Sequence, residues 1–251
     1  MKQIPYFSRK KNPKMRNYYY FDDTHFEITV NEDTCRLTPY SFLPDGKIWE
    51  PESLRQFFGG IDSSKPCNIV DIGAQSGLYS LYAKFLPLST FYSFEPFPQT
   101  FTLLNENLVI NNITNVKTYN LAMSNKTGEA TLNTCKSHNG LHTMGSLLKR
   151  FQDVSPIKVQ CTTLDDFFYA NRIPVHYIKI DTEGHEYWIL QGGRKTIAEY
   201  GPIIQLEWNT TNMDQCGVTE DRMIKLMNDL GYKDVSTATH EEERLYAPCS
   251  V

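Results

Sequence analysis

Asn68-Ile-Val-Asp71-Ile-Gly73-Ala-Gln75-Ser76-Gly77 is the stretch that decides how this chain folds. A short apolar run of β type, residues 68–72, stops at a turn bearing two glycines, and residues 77–85 then read as helical. Gly73 lets the backbone turn tightly at the strand end. Gly77 lets the helix begin close to a bound group, and the free N–H groups at a helix start attract anions. The spacing is G-x-x-x-G and does not match the G-x-G-x-x-G of dinucleotide-binding turns.

Outward from this unit the pattern alternates. Strands are expected at 90–94, 116–121, 175–180 and 203–208, and helices at 99–111, 163–170, 186–200 and 219–230. Residues 233–237 and 244–247 would close the sheet as a last hairpin. Upstream, 50–59 reads as a short helix closed by Gly59-Gly60, and 26–30 with 35–37 as a hairpin. Strands alternating with helices make an α/β, doubly wound, mostly parallel sheet. Ligands of such sheets sit at the carboxyl ends of the strands.

The ionisable residues fall at those ends. Asp71 disfavours a pyrophosphate there and welcomes an ammonium. Together with the helix start, it suits S-adenosylmethionine, whose methionine end carries both an amine and a carboxylate. Glu95 ends the next strand, 22 residues after Gly73, where an acid hydrogen-bonds ribose hydroxyls. Asp181, Glu183, His185 and Glu186 crowd the end of a third strand, a density that folding alone does not call for. Glu207 ends a fourth strand, beside Asp181. His138 and His142 lie in a polar stretch, 137–145, that reads as an active-site loop.

Net charge is −4, from 25 basic and 29 acidic residues, which argues against a general nucleic-acid binder. Residues 1–20 hold six basic side chains and no acid, so they read as a flexible basic arm. Residues 21–66 read as an N-terminal extension and 67–251 as the main domain. No run of about 18 apolar residues is present, so no membrane span is expected. The start has no apolar signal-peptide core, which points to the cytoplasm and reduced thiols. The six cysteines form no C-x-x-C pair and no zinc spacing.

The order of these pieces resembles the FkbM-type methyltransferases, a branch of the class I S-adenosylmethionine-dependent methyltransferases. The resemblance spans roughly residues 67–208 and rests on Val70–Gly77, Phe94-Glu-Pro96, Asn120-Leu-Ala-Met-Ser124, Thr163-Leu-Asp-Asp-Phe167 and Ile178–Glu186. Gly145-Ser-Leu147 resembles the family's small-residue loop, and Gln75 stands where the family usually has Asn. The resemblance implies a Rossmann-like sheet with an antiparallel last strand. It also implies S-adenosylmethionine held by Asp71, Gly73, Gln75, Ser76, Gly77, Glu95 and Ala122, and O-methylation of a sugar or glycan hydroxyl.

A sugar hydroxyl is a weak acid, so methyl transfer to it needs a base within reach or a metal that lowers its pKa. Two schemes fit the residues. In one, His185 is the base, oriented by Asp181 or Glu183. In the other, Asp181 and Glu207 hold a divalent cation such as Mg²⁺ or Mn²⁺. An NAD(P)-dependent oxidoreductase and a non-catalytic carbohydrate-binding or scaffolding module remain as alternatives. The missing dinucleotide fingerprint counts against the first, and the density of acids against the second.

Overall fold

The computed structural model describes residues 14–20 and 24–30 as backbone, and 51–135, 154–237 and 242–249 in full apart from the side chains of 135, 154 and 155. The predicted loop with His138 and His142, the segment 145–147 and the predicted strand 35–37 lie outside the described residues. Strand β1 (Lys14–Tyr20) pairs antiparallel with β2 (Thr24–Val30). The partner of the 26–30 run is therefore upstream of it, within the stretch read as a flexible arm.

Helix α1 (Pro51–Phe58) turns Leu54, Phe57 and Phe58 inward. β3 (Asn68–Ile72) then enters the sheet. A 3-10 turn at Ser80–Phe85 replaces the helix expected over 77–85; Gly77, at φ +103, stays outside it. β4 (Thr90–Phe94), α2 (Pro98–Ile110) and β5 (Val116–Tyr119) follow as read.

The sequence reading missed a side sheet. β6 (Ala122–Met123) pairs parallel with β8 (Val154–Thr162), which pairs antiparallel with β7 (Gly128–Cys135). Its signal was a two-residue apolar alternation at Ala130/Leu132 and Ile157/Val159/Cys161, residues that pack together with Phe97 and Ala122. The Thr-Leu-Asp-Asp stretch forms a single π-helical turn, Asp165–Tyr169.

β9 (Tyr177–Ile180) leads to α3 (Glu186–Gln191) and α4 (Arg194–Tyr200), where one helix was expected. The break is at Gly192-Gly193. A Cβ at Gly192 would lie 2.3 Å from Ser124 O, and one at Gly193 2.6 Å from Leu164 Cδ1, so the helix runs too close to its neighbours to carry side chains there. Asp165 starts the second helix, its carboxylate accepting from Lys195 N, Thr196 N and Thr196 Oγ1.

β10 (Ile203–Glu207), α5 (Thr210–Gln215), α6 (Glu220–Asp229), β11 (Tyr232–Asp234) and β12 (Glu243–Pro248) complete the chain. The main sheet has seven strands in the order β11-β12-β10-β9-β3-β4-β5. β12 is antiparallel to both neighbours, and β10, β9, β3, β4 and β5 are mutually parallel. Val70, Ile178 and Ile204 face one hydrophobic core with α3, α4 and α6, while Ile69 and Phe91 face a second with α1. No helix among the described residues is long and apolar enough to cross a membrane.

Candidate active site

Strand register places Ser93, Asp71, Lys179 and Gln205 side by side on four adjacent strands. They form a buried polar row on the α1 face. Asp71 Oδ2 accepts from Ser80 Oγ at 2.6 Å, and Ser80 Oγ lies 2.7 Å from Ser93 Oγ. Asp71 Oδ1 has no hydrogen-bond partner among the described residues. Burial pushes the Asp71 carboxyl up, against the pull of the Lys179 ammonium. Asp71, read from sequence as facing a cofactor ammonium, thus turns its side chain into the sheet face rather than into the turn.

Lys179 is the cation of this row. It is 4% exposed, its Nζ donates to Asp181 Oδ2 at 3.0 Å, and it lies 4.8 Å from the centre of the Tyr79 ring. Burial alone would lower its pKa; Asp181, Asp71 and Glu243 outweigh that and hold it above the ordinary lysine range. Sequence reading gave Lys179 no role. Its signal was a charged residue inside an otherwise apolar strand, which needs a buried partner.

The glycine turn lies above the row. Gly73 N and Ala74 N both donate to Phe94 O at 3.0 Å. Gly73 has φ +78, and a Cβ there would come within 1.8 Å of Asp181 O, so no other residue lets β3 and β9 approach so closely. Gln75 sits at φ 51, a left-handed conformation that costs a long side chain roughly 1 kcal/mol. Its N–H donates to Glu95 Oε2 at 2.9 Å. Glu95 Oε1 accepts from Phe97 N and Thr100 Oγ1, so three donors hold the carboxylate beside the turn. Burial pushes its pKa up. Ser76 is buried, and its carbonyl accepts from Asn107 Nδ2. Gly77 packs under Leu104, and Ala122 lies in the side-sheet core beside Phe97.

The acidic turn caps β9. Glu186 is buried and accepts at Oε1 from Thr182 N, Thr182 Oγ1 and Gly184 N, so it serves the turn's own backbone. Glu183 stands at φ 59, and its N–H donates to Glu207 Oε2 at 2.9 Å. Asn212, near the start of α5, donates to Glu183 Oε2 at 3.0 Å and to Glu207 Oε1 at 2.9 Å. It too went unread; the signal was Asn209-Thr-Thr-Asn212, where Asn209 caps α5 by accepting from Asn212 N. Burial, with Asp181, Glu186, Glu183 and Glu243 nearby, raises Glu207 well above the usual carboxylate range.

The structure thus brings Asp181, Glu183 and Glu207 to adjacent strand ends. His185 leaves that group: its Nε2 lies 3.0 Å from Ser124 Oγ, in place of the Asp181 or Glu183 contact expected from sequence. Burial lowers its pKa from 6.5 to about 4. A neutral native ring and a protonatable unfolded one make stability full above pH 6.5 and progressively lost as pH falls toward 4. That loss is expected to reach roughly 3 kcal/mol, and urea melts across this range should show it in the native chain and not in His185→Gln.

A divalent ion fits the Asp181–Glu207 pair poorly. Lys179 already supplies Asp181 with a cation, and both Glu207 oxygens are taken by N–H donors. Among the described residues no group of three or more His, Cys, Asp or Glu is arranged to hold a metal.

Residues 71–233 match the family model described as the methyltransferase FkbM domain. "Methyltransferase 1" of Beauveria bassiana (strain ARSEF 2860) is 29% identical over 145 residues, covering 49% of this chain and 57% of that protein. The chain therefore spans little more than half the length of that relative. The crystal structure of methyltransferase FkbM from Methylobacillus flagellatus KT is similar with a TM-score of 0.51 and 15% identity, over 78% of this chain and 47% of that one. At that identity the likeness shows the fold.

Proposed function

Starting from the FkbM methyltransferase family, to which the chain belongs, we propose that it is an S-adenosylmethionine-dependent O-methyltransferase acting on a hydroxyl of a sugar or glycan. When bound, S-adenosylmethionine supplies an electrophilic methyl group. The residues around the glycine turn fit such a cofactor. Gly73 and Gly77, at φ +78 and +103, let the turn fold tightly against Asp181 O and Leu104 at the strand end. Glu95 has accepted three hydrogen bonds and has acceptor capacity left for a ribose hydroxyl. Gln75 N–H is tied to the Glu95 carboxylate, while Ser76 and Ala122, both buried, shape the backbone on either side of it.

The observation that carries the reading is the contrast among the strand-end acids. Glu186 and Glu207 are buried, whereas Asp181 and Glu183 are half-buried; of these two, Asp181 is steered by the buried Lys179 ammonium and Glu183 is held by Asn212. Asp181 would accept the proton of the acceptor hydroxyl as that oxygen takes the methyl carbon and the carbon–sulfur bond breaks, the neutral thioether being the leaving group. Lys179 holds that carboxylate in place. Glu183, Asn212 and Glu207 brace the turn beside it. The buried, hydrogen-bonded His185 suits that proton less well.

Incubation with methyl-labelled S-adenosylmethionine and a panel of glycans, read by mass spectrometry, tests the function. Label on a sugar oxygen supports it; label only on protein or RNA overturns the acceptor class. The cofactor assignment has its own check. Glu95→Gln is expected to weaken S-adenosylmethionine binding by about 1.5–3 kcal/mol in calorimetry, the worth of a charge-assisted hydrogen bond. An unchanged affinity removes Glu95 from the site.

A further inference from the structure

His185 has both ring nitrogens committed or enclosed. Nε2 meets Ser124 Oγ at 3.0 Å, and Nδ1 is buried without a hydrogen-bond partner among the described residues. The neighbours fix the tautomer. Ser124 Oγ lies 3.4 Å from Asn125 Oδ1, an atom that can only accept. With its own proton directed there, Oγ accepts from the ring, which places the ring hydrogen on Nε2. Nδ1 then keeps a bare lone pair, a lesser cost than an orphaned buried N–H. The proton-donor direction runs from His185 through Ser124 to Asn125.

Ser124 is gripped on every side. Its N–H donates to Thr162 O at 2.9 Å, and its carbonyl faces Gly192 so closely that a Cβ there would stand 2.3 Å away. The same short segment reaches the other wall of the site. Ala122 packs with Phe97, and Asn120 Nδ2 donates to Glu95 O at 2.8 Å and to Pro96 O at 3.0 Å. Residues 120–124 therefore run from the Glu95 turn to the head of α3, fastened at the far end by an imidazole 61 positions away in sequence.

We infer that the His185–Ser124 hydrogen bond is a latch that sets the Asn120–Ser124 wall of the cofactor pocket, with His185 a positioning residue and not the proton acceptor. The inference rests on the cofactor reading above and deepens it. It links the acidic turn of β9 to the pocket through one hydroxyl. It also explains a buried histidine whose Nδ1 is enclosed and whose Nε2 is turned to Ser124.

Calorimetric titration of S-adenosylmethionine into the full chain tests it. Ser124→Ala removes one oxygen and is expected to weaken binding roughly three- to tenfold, the range set by one hydrogen bond. His185→Ala should lose a similar factor, and the double variant no more than either alone. His185→Gln, whose amide N–H reaches toward the place of Nε2–H, should return to within about twofold of the native affinity. A second measurement needs no cofactor. Nitrogen-15 NMR of the ring should report the Nε2–H tautomer unchanged between pH 5 and 8, and an altered ring in Ser124→Ala. Native affinity in Ser124→Ala, or a ring carrying Nδ1–H, overturns the latch. A native chain that binds no S-adenosylmethionine sinks the cofactor reading instead, and the ring tautomer still decides the latch.

Discussion

Lys179→Met is expected to cost about 3–5 kcal/mol of folding stability, far more than loss of a surface charge. Methionine fills most of the volume, so packing changes little. What changes is the company of Asp71, which is 1% exposed and has an oxygen without a hydrogen bond among the described residues. With the ammonium gone, that carboxylate keeps only the Ser80 hydroxyl to offset its charge, deep beneath Phe57, Tyr79 and Phe91. Urea unfolding of the single variant gives the size. The double variant Asp71→Asn/Lys179→Met gives the reason: neutralising both partners should recover more than half of the loss. A single variant within about 1 kcal/mol of the native chain would show that the row is held by packing and not by charge.

The second large effect is kinetic. Asp181→Asn keeps the shape and still accepts from Lys179, but it removes the proton acceptor. Turnover should fall by about 10²–10⁴, while S-adenosylmethionine binding stays within about twofold. The measurement is single-turnover methyl transfer to the acceptor identified by labelling, beside calorimetry of cofactor binding. A variant that keeps more than about a tenth of the native rate removes Asp181 as the base. A variant that loses cofactor affinity and rate together shows that Asp181 shapes the pocket.

The parallel strands were legible because their cores are runs of Ile, Val, Leu and Phe bounded by glycine or polar turns. Their parallel run followed from alternation with helices; their order in the sheet did not. The turn at Gly73–Gly77 and the acids at 95, 181, 183 and 207 were legible for the same reason, since strand ends mark where ligands bind. Partners remote in sequence were not. Ser124 meets His185 only because Gly192 lets two segments touch, and nothing local to 185 announces it. Asp71 and Lys179 share a row only through strand register, which a linear reading does not supply. The side sheet was missed because its strands are half-polar and one of them, β6, is two residues long. The helix expected over 186–200 broke because contact with Ser124 and Leu164 overrides propensity at a glycine pair.

The place of β12 sets the order in which the fold can be finished. It lies between β10 and β11 and pairs antiparallel with both, although β11 is made before it. While a ribosome is still synthesising residues 243–248, β10 has an open edge and β11 has no neighbour to join. Two rows of unpaired backbone donors and acceptors must wait for a strand that slots between them, and such edges recruit other chains. The β11–β12 pairing is local, 12 to 16 residues apart, so the slower closure is the β10–β12 pairing, 36 to 42 residues apart. Until residues 243–248 emerge, the edge of β10 that they cover stays open to other chains.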